Sequence, residues 1–409
     1  MMNHQTRTMN ASDSHSHTLD EFSPEDQLIL LAARKDLSPD VERRMVQLLQ
    51  SDLDWERFLN QVLAHRVYPL VYRTLRRCSS DLIPSPILSR LKSETYQNGA
   101  RNLLYKQELL RLVERFYRDG IPAIPYKGPV LAETLYGDVT LRVSCDLDFL
   151  IRGEDVPKVK GLLLALDYWP QFAMNPAEER IYLRSNCELN FIRRSEDGMA
   201  FQVELHWNIL PPTMIAGLDP ELIWRDASPT AFDGVSIYRM SPEMQFLALC
   251  LHAWKHLWAS LQWICDVNEF LRQYGQRLDW SLIDARARAL GIIDVVGVSL
   301  RLVERLFGGE PLRSPTISAL MEHDALLEIV RRWGFPRHRM PSSNVEIHRA
   351  YLAFIRPWRN RWRYVVWTLM TPSPTDFQEL RLPTWLAPFY WLLRPLRIVW
   401  KVMRGRQRM

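Results

Sequence analysis

Apolar residues recur every three or four positions over the first third of the chain, which is the spacing of an amphipathic helix. Three segments carry such a stripe: Val41 to Leu49, Trp55 to Leu63 and Leu103 to Phe116. Ser23-Pro24 is an N-cap followed by a first-turn proline, and Asp119-Gly120 is a helix end. The pattern predicts a helical N-terminal region over 23–119, preceded by a polar, disordered lead-in over 1–22.

Strand-like alternation replaces the helical spacing between 120 and 212, which predicts a small domain of mixed helices and strands. The alternation is clearest from Ala200 to Ile209. Its apolar face holds Phe201, Val203, Leu205 and Trp207, and its polar face holds Gln202, Glu204 and His206. A second strand is predicted from Glu188 to Arg193, joined to the first by a hairpin turn at 195–198.

The stretch from Lys127 to Ile151 is predicted to form a helix that opens at Lys127-Gly128, then a turn and a strand. Along that strand Asp146 and Asp148 share one face, while Leu147, Phe149 and Ile151 point into a core. Two carboxylates on one face repel each other unless a cation compensates them. Mg²⁺ prefers carboxylate oxygens together with substrate phosphate. The stretch therefore predicts a metal-dependent site for phosphoryl or nucleotidyl transfer.

A Pro-Pro pair at 211–212 marks the end of this domain. Helical spacing returns from Ser241, and a further helix is predicted from Ser314 to Trp333. These helices make a C-terminal helical region over 213–350. A basic tail rich in Trp and Arg follows over 351–409.

The composition, 47% apolar and 24% charged over 409 residues, is typical of a soluble globular protein with two or three domains. Five cysteines without a CxxC pair favour reduced thiols over a disulfide framework or a zinc site. One of them, Cys145, is predicted to point into the core. The N-terminus shows no signal peptide and no stretch is apolar enough to span a membrane, so the sequence predicts a cytoplasmic protein.

The net charge of +5 is unevenly distributed. Residues 352–409 hold 11 Lys and Arg against two acids, a balance of +9, so the remainder sums to −4. Trp and Arg together suit a membrane surface or nucleic acid. Several prolines interrupt any long amphipathic helix, so we expect the Trp and Leu side chains to pack on the helical region with the arginines in solvent. Contact of the tail with an anionic surface is the alternative.

Short motifs from the middle of the chain occur in a distinctive order: Tyr126-Lys127-Gly128, Leu135-Tyr136-Gly137, Arg142, Asp146-Leu147-Asp148 and Glu204-Leu205-His206-Trp207. Together they resemble the uncharacterised nucleotidyltransferase family of the DNA polymerase β-like superfamily. Asp54-Trp55, Gly120-Ile121-Pro122 and a single helix from His252 to Val267 match too, so the resemblance covers most of the chain. It implies an α+β fold in which a small mixed-sheet nucleotidyltransferase core is flanked by N- and C-terminal helical regions.

The resemblance also implies a site. Asp146 and Asp148 would bind two divalent ions, Mg²⁺ or alternatively Mn²⁺, and Glu204 would complete the carboxylate set. The reaction would move a nucleoside monophosphate from an NTP such as ATP to an acceptor and release pyrophosphate. The superfamily often has Asp at the third position, so Glu204 departs from the pattern, and a surface acid beside His206 is the alternative interpretation.

The phosphate side of the site is predicted at Lys127, Gly128 and Arg142. Gly128 allows the backbone to approach a phosphate at a helix N-terminus, although the superfamily usually has Gly-Gly or Gly-Ser here. Lys127 adds a charge, and the planar guanidinium of Arg142 suits bidentate phosphate contacts. The alternative for Arg142 is a structural ion pair with Asp138 or Asp146.

A polar stripe on the predicted helix from His252 is the candidate for the acceptor side: His252, Lys255, His256 and Asp266, with His206 from the core. A His-x₃-His pair can bind zinc, but Ala253 stands where HExxH requires Glu, which excludes a typical zinc metalloprotease. The stripe predicts either contact with the acceptor substrate or a buried, hydrogen-bonded helix contact.

Two other functions remain open from the sequence. One is a non-catalytic binding protein on a nucleotidyltransferase scaffold, since a fold does not guarantee a function. The other is an RNA-directed nucleotidyltransferase that grips phosphates with its basic tail. The acceptor can be a small molecule, a sugar, a protein side chain or an RNA end.

Overall fold

The computed structural model describes residues 19–78, 80–196, 198–215, 217–308, 326, 328, 330, 334–337, 343–356 and 358–406, without the side chains of 80 and 401–406. Most of the predicted lead-in, 1–18, and nearly all of the predicted helix from Ser314 to Trp333 lie outside these ranges. At the end of the predicted lead-in, Leu19 is buried in the core and Phe22 packs against it.

The N-terminal region is helical, as predicted. Its helices are α1 Pro24–Ala32, α2 Pro39–Leu49, α3 Trp55–Ala64, α4 Tyr68–Cys78 and the 34-residue α5 Ser85–Arg118. Ser23, Ser38 and Asp54 each accept a backbone N–H bond in the first turn that follows, which satisfies donors that a helix start leaves unpaired. Of these caps, Ser23 was predicted from the sequence.

A mixed five-stranded sheet forms the centre of the molecule. Its strands are β1 Ala123–Pro125, β2 Leu147–Ile151, β3 Trp169–Pro170, β4 Glu188–Arg194 and β5 Ala200–His206, in the order β1-β2-β5-β4-β3. Only β2 and β5 pair in parallel; the other neighbours are antiparallel. Interspersed helices are α6 Gly128–Tyr136, α7 Val156–Ala165 and α8 Pro176–Ser185. The predicted α+β fold is confirmed.

Both faces of the sheet are covered. The face predicted to be apolar packs into one core cluster that includes Phe149, Val203 and Leu205. On the opposite face Leu150 is also fully buried, in the larger core shared with the helical regions. The polar side chains on this second face therefore lie between the sheet and the helices and not in open solvent.

A second, two-stranded sheet follows within the region predicted to be helical. Helix α9 Glu221–Arg225 precedes β6 Ser228–Phe232 and β7 Val235–Arg239, which pair as a hairpin. The turn is Asp233-Gly234, where both residues have positive φ. Asp-Gly between alternating residues is a strong hairpin signal, so this element could be read from the sequence.

The C-terminal region contains α10 Pro242–Lys255, α11 Leu261–Tyr274, α12 Trp280–Ala289 and α13 Ile293–Phe307. The prediction of one helix from His252 to Val267 was wrong, because α10 ends at Lys255. Leu257 and Trp258 have φ of 53° and 50°, a left-handed conformation that side chains with Cβ rarely adopt. Trp258 is fully buried and its indole donates to Ser299 Oγ at 3.0 Å, which compensates the backbone cost.

The tail is also helical, with α14 Asn344–Phe354, α15 Trp358–Met370, α16 Pro374–Leu380 and α17 Tyr390–Arg406. Tyr351 donates to the Lys255 carbonyl at 2.5 Å and Tyr390 to Glu178 at 2.9 Å, so the tail packs on the body of the protein. Within the described ranges no helix has the length and apolar character needed to cross a membrane.

Candidate active site

The parallel pairing of β2 with β5 brings two predicted acids together. Asp148 and Glu204 are register partners, and His206 lies one step further along the same face of β5. The Nε2 atom of His206 lies 3.2 Å from Asp148 Oδ1 and 3.3 Å from Glu204 Oε2. The polar side chains of the two strands therefore converge at one point, because the two strands are neighbours in the sheet.

Asp146 was predicted on the strand, but it lies in a bend immediately before β2, which begins at Leu147. Its side chain is half-buried. Burial and then the Asp148 carboxylate raise the pKa of Asp146 to about 7. Such a shift is typical of two carboxylates held close together without full compensation.

Lys127 neutralises the second acid. It is the residue before α6, and its ammonium forms a buried ion pair with Asp148. Burial alone raises the pKa of Asp148, but Lys127 and His206 outweigh burial and hold that pKa well below its ordinary value. In turn the Asp148 and Asp146 carboxylates raise the pKa of Lys127 above its ordinary value, although burial opposes this.

Gly128 is the first residue of α6 and lies close to the backbone of Asp146, just before β2. Its φ is +56°, and a Cβ atom there would lie 3.2 Å from the carbonyl oxygen of Asp146. Only glycine fits both conditions without strain. The N-cap Lys127 makes no side-chain bond to the first turn, so N–H groups of α6 remain available to an anion beside the carboxylates.

Arg142 and Asp266 form a separate buried pair. The Nε atom of Arg142 lies 3.1 and 3.0 Å from the two carboxylate oxygens of Asp266, and Tyr136 donates to Asp266 at 2.9 Å. The sequence left open a structural pair of Arg142 with Asp138 or Asp146, but the structure pairs it with Asp266. As arranged, the two charges neutralise each other across the contact between the segment before β2 and α11.

Glu188 is a site residue that the sequence reading missed. It is the Cα partner of His206 across β4 and β5, and its Oε2 atom lies 2.7 Å from Lys255 Nζ and 3.4 Å from His206 Nδ1. Burial opposes the shift, but His206 and Lys255 lower the pKa of Glu188 to about 2. The signal available in the sequence was that Glu188 is a polar residue at the start of the strand predicted to pair with β5.

These contacts make a row of alternating charge through the site. We call it the charge row, and its members are Lys127, Asp148, His206, Glu188 and Lys255. Burial lowers the pKa of His206, but Tyr126 and the hydrogen bonds to Asp148, Cys187 and Glu204 raise it well above the ordinary value. The imidazole is therefore held as a cation between two acids.

His252 and His256 lie beside this row as neutral, half-buried rings. The His256 ring stacks on Trp263 with centroids 4.7 Å apart, and His252 meets the edges of both rings. Burial and then Lys255 lower the pKa of His256 to about 3, and burial and then Lys127 lower that of His252 well below its ordinary value. The predicted stripe thus persists in part, although α10 and α11 are separate helices.

Comparison with known proteins gives the family of the chain. The profile of the uncharacterised nucleotidyltransferase family matches residues 51–308. The chain belongs to this family. The match spans all the candidate site residues from Lys127 to Asp266 and ends before the tail. Membership supports a general nucleotidyltransferase role and confirms the resemblance drawn from the motifs.

A crystal structure of an antigenic nucleotidyltransferase-like protein from Paracoccidioides brasiliensis is also similar to the chain. The identity is 15% and the TM-score is 0.29, over 47% of this chain and 91% of that one. No curated protein matches the chain.

The carboxylates of this family member suit a hard divalent cation. Among the described residues, Asp148, Glu204 and His206 have ligand-type atoms within 4.8 Å of one another, and so do Cys187, Glu188 and His206. Asp148 Oδ2 is buried and accepts no hydrogen bond from the described part of the chain, which leaves a carboxylate oxygen for a cation. His206 contributes a ring nitrogen to both groups.

Cys145 differs from its prediction. It was expected in the core, but its side chain is exposed next to the bend that carries Asp146. The bend interrupts the strand alternation on which that prediction rested.

Proposed function

We propose that this chain is a divalent-metal-dependent nucleotidyltransferase. It would transfer a nucleoside monophosphate from an NTP such as ATP to an acceptor oxygen and release pyrophosphate. In that step the acceptor oxygen forms a bond to the α-phosphorus and loses its proton, while the bond from the α-phosphorus to the bridging oxygen of pyrophosphate breaks.

The register pairing of Asp148 with Glu204 is the observation that carries the proposal. It sets two carboxylates side by side on parallel strands, with a third, Asp146, at the entrance to β2. These three residues would hold the metal. The buried Asp148 Oδ2, which accepts no hydrogen bond from the residues that the structure describes, supports that assignment. A bound divalent ion polarises phosphate oxygens and neutralises developing charge.

Positively charged and N–H donor groups that could bind the donor phosphates lie beside the carboxylates. Lys127 pairs with the Asp148 carboxylate, and the N-terminus of α6 at Gly128 approaches the backbone carbonyl of Asp146. A positive side chain beside backbone N–H donors is the usual surroundings of a bound phosphate. Arg142 is less suited to this role, because its guanidinium is already held by Asp266.

The acceptor side is proposed at the neutral rings of His252 and His256 and at Lys255. The rings are half-buried and offer flat, uncharged surfaces next to the charge row. Such surfaces suit a planar or hydroxyl-bearing acceptor better than a strongly charged one.

The charge row also favours a second candidate, a non-catalytic nucleotide-binding protein. Each cation in the row already has a carboxylate partner in the protein alone, so the fold does not need a metal to balance these side chains. The two candidates differ in whether binding of an NTP depends on a divalent ion.

Calorimetry of NTP binding with and without Mg²⁺ separates them. We expect heat only with Mg²⁺ for the wild-type protein, and its loss in Asp148→Asn and in Glu204→Gln. Glu114→Gln, the same change at an exposed site on α5, should bind as the wild type does. Binding that ignores Mg²⁺ and survives both site variants would support the second candidate, and no binding by a folded wild type would count against both.

A further inference from the structure

We propose that the helices α15 and α17 bind the surface of an anionic lipid bilayer and hold the protein there without crossing it. The observation is that each helix turns its apolar side outward. A surface helix of a globular protein normally faces its apolar side to the core.

On α15 the outward stripe consists of Trp358, Trp362, Val366 and Leu369, at steps of four, four and three residues. Trp358 and Trp362 are 66% and 63% exposed. On the opposite side of the helix Tyr364 is buried, and its hydroxyl is hydrogen-bonded to His348 Nδ1 at 2.7 Å. This contact determines which side of α15 faces the protein. The expectation that the tail tryptophans pack inward is wrong for both residues.

Helix α17 repeats the pattern. Its exposed apolar residues are Leu392, Leu396, Val399 and Trp400, while Tyr390 at its start is buried. The two helices pack on each other, with the rings of Trp367 and Trp391 6.3 Å apart. In the segment before α17, Trp385 is 77% exposed. Exposed apolar residues gathered in this way mark an interaction surface.

The charge beside these stripes is positive and uncompensated. The only two acids in 352–409 are Asp376, which is held by Arg394 and Arg397, and Glu379, which contacts Arg397. Within the described ranges, four other arginines of the tail form no salt bridge: Arg359, Arg361, Arg363 and Arg381. An anionic surface supplies the missing negative charge.

A bilayer fits both features. Tryptophan is favoured at the level of the lipid headgroups, leucine and valine enter the acyl boundary, and arginine pairs with anionic headgroups. RNA would engage the arginines and tryptophans but would leave Leu392, Leu396 and Val399 in water. The absence of a helix able to span a membrane, among the described residues, agrees with binding at the surface.

Cosedimentation of the full chain with vesicles tests the proposal. We expect binding to phosphatidylcholine vesicles that contain phosphatidylserine, weaker binding to phosphatidylcholine alone, and a decrease with added salt. Trp358→Ser/Trp362→Ser should reduce the partition at least tenfold. Trp169→Ser, at a site on β3 that is 65% exposed, is the matched control and should bind as the wild type does. Arg359→Gln/Arg363→Gln should weaken binding by about fivefold for each arginine.

Four outcomes would overturn the proposal while far-UV circular dichroism shows folded protein. The wild type binds no vesicle, or Trp169→Ser loses as much as the double tryptophan variant. Alternatively, the protein self-associates without lipid and the tryptophan variant abolishes this, which assigns the stripes to a second copy. Tight RNA binding without vesicle binding assigns the tail to nucleic acid. None of these readouts depends on nucleotidyl transfer.

Discussion

Arg142 and Asp266 form an ion pair in which both side chains are buried, across 124 residues of sequence. Burial raises the pKa of Asp266, while Arg142 and Tyr136 act against that rise. The pair joins the start of the sheet domain to α11. Its members were predicted on opposite sides of the reaction, one with phosphate and one with the acceptor.

Removal of one partner should be costly. We expect Asp266→Ala to lower the free energy of unfolding by about 3–5 kcal/mol, because it leaves the Arg142 guanidinium buried and unpaired. Urea denaturation followed by far-UV circular dichroism measures the loss. The control is Asp40→Ala, whose exposed contact with Arg43 should matter by less than about 1 kcal/mol. Equal losses in the two variants would mean that the buried pair does not hold the domains together.

The same pair tests whether Arg142 contacts phosphate. Arg142→Met/Asp266→Leu removes both charges and fills similar volume, so the double variant should recover much of the stability lost in Asp266→Ala. If Arg142 is structural, the double variant binds Mg²⁺-NTP with an affinity within a few fold of wild type. A loss of binding in this folded variant would restore Arg142 to the phosphate side.

Glu204 is expected to contribute directly to metal affinity. Glu204→Gln keeps the shape of the side chain but removes a charge beside Asp148, so we expect at least about a tenfold weaker affinity for Mn²⁺. Electron paramagnetic resonance of free Mn²⁺ measures this without turnover. Glu114→Gln on α5 should leave the affinity unchanged. If the Glu204 variant binds Mn²⁺ as tightly as wild type, Glu204 is only a neighbour of His206.

Gly128 should tolerate no side chain. Gly128→Ala adds a left-handed backbone cost and a contact with the Asp146 carbonyl oxygen, so we expect about 1–3 kcal/mol of lost stability and weaker NTP binding. Gly120→Ala is the matched control, since its φ is +68° but no atom lies within 4 Å of the added Cβ. It should share the backbone cost and keep NTP binding. Identical effects in the two variants would mean that the close contact between position 128 and the Asp146 carbonyl oxygen has no role in NTP binding.

His256 should make the protein less stable in mild acid. Its pKa of about 3 in the folded protein lies below the ordinary 6.5. Between these two pH values His256 binds a proton in the unfolded chain but not in the folded protein. This contribution is complete above pH 6.5 and is lost as the pH falls toward 3, with a slope of up to about 1.4 kcal/mol per pH unit. Unfolding in urea at a series of pH values should show a shallower fall for His256→Phe, which keeps a ring against Trp263. A wild-type slope in that variant would show that His256 is protonated in the folded state.

The sequence by itself determined which side chains share a face. Strand alternation put Glu204 with His206 and separated them from Leu205, because successive side chains of a strand point to opposite sides. The helical N-terminal region followed in the same way from spacing and from the Ser23-Pro24 helix start. The motifs around Lys127 and Asp148 were sufficient to place the chain in its family.

Only the tertiary structure decided which face meets which. Lys255 is brought to Glu188, the strand partner of His206, by the packing of α10 against the sheet, which no local pattern encodes. The break after Lys255 depends on a buried site for Trp258 supplied by α13. Likewise, the apolar stripe of α15 faces outward because Tyr364, on the other side of the helix, contacts His348. Periodicity is set by the backbone of one segment, whereas partners are set by the burial and charge of segments distant in the chain.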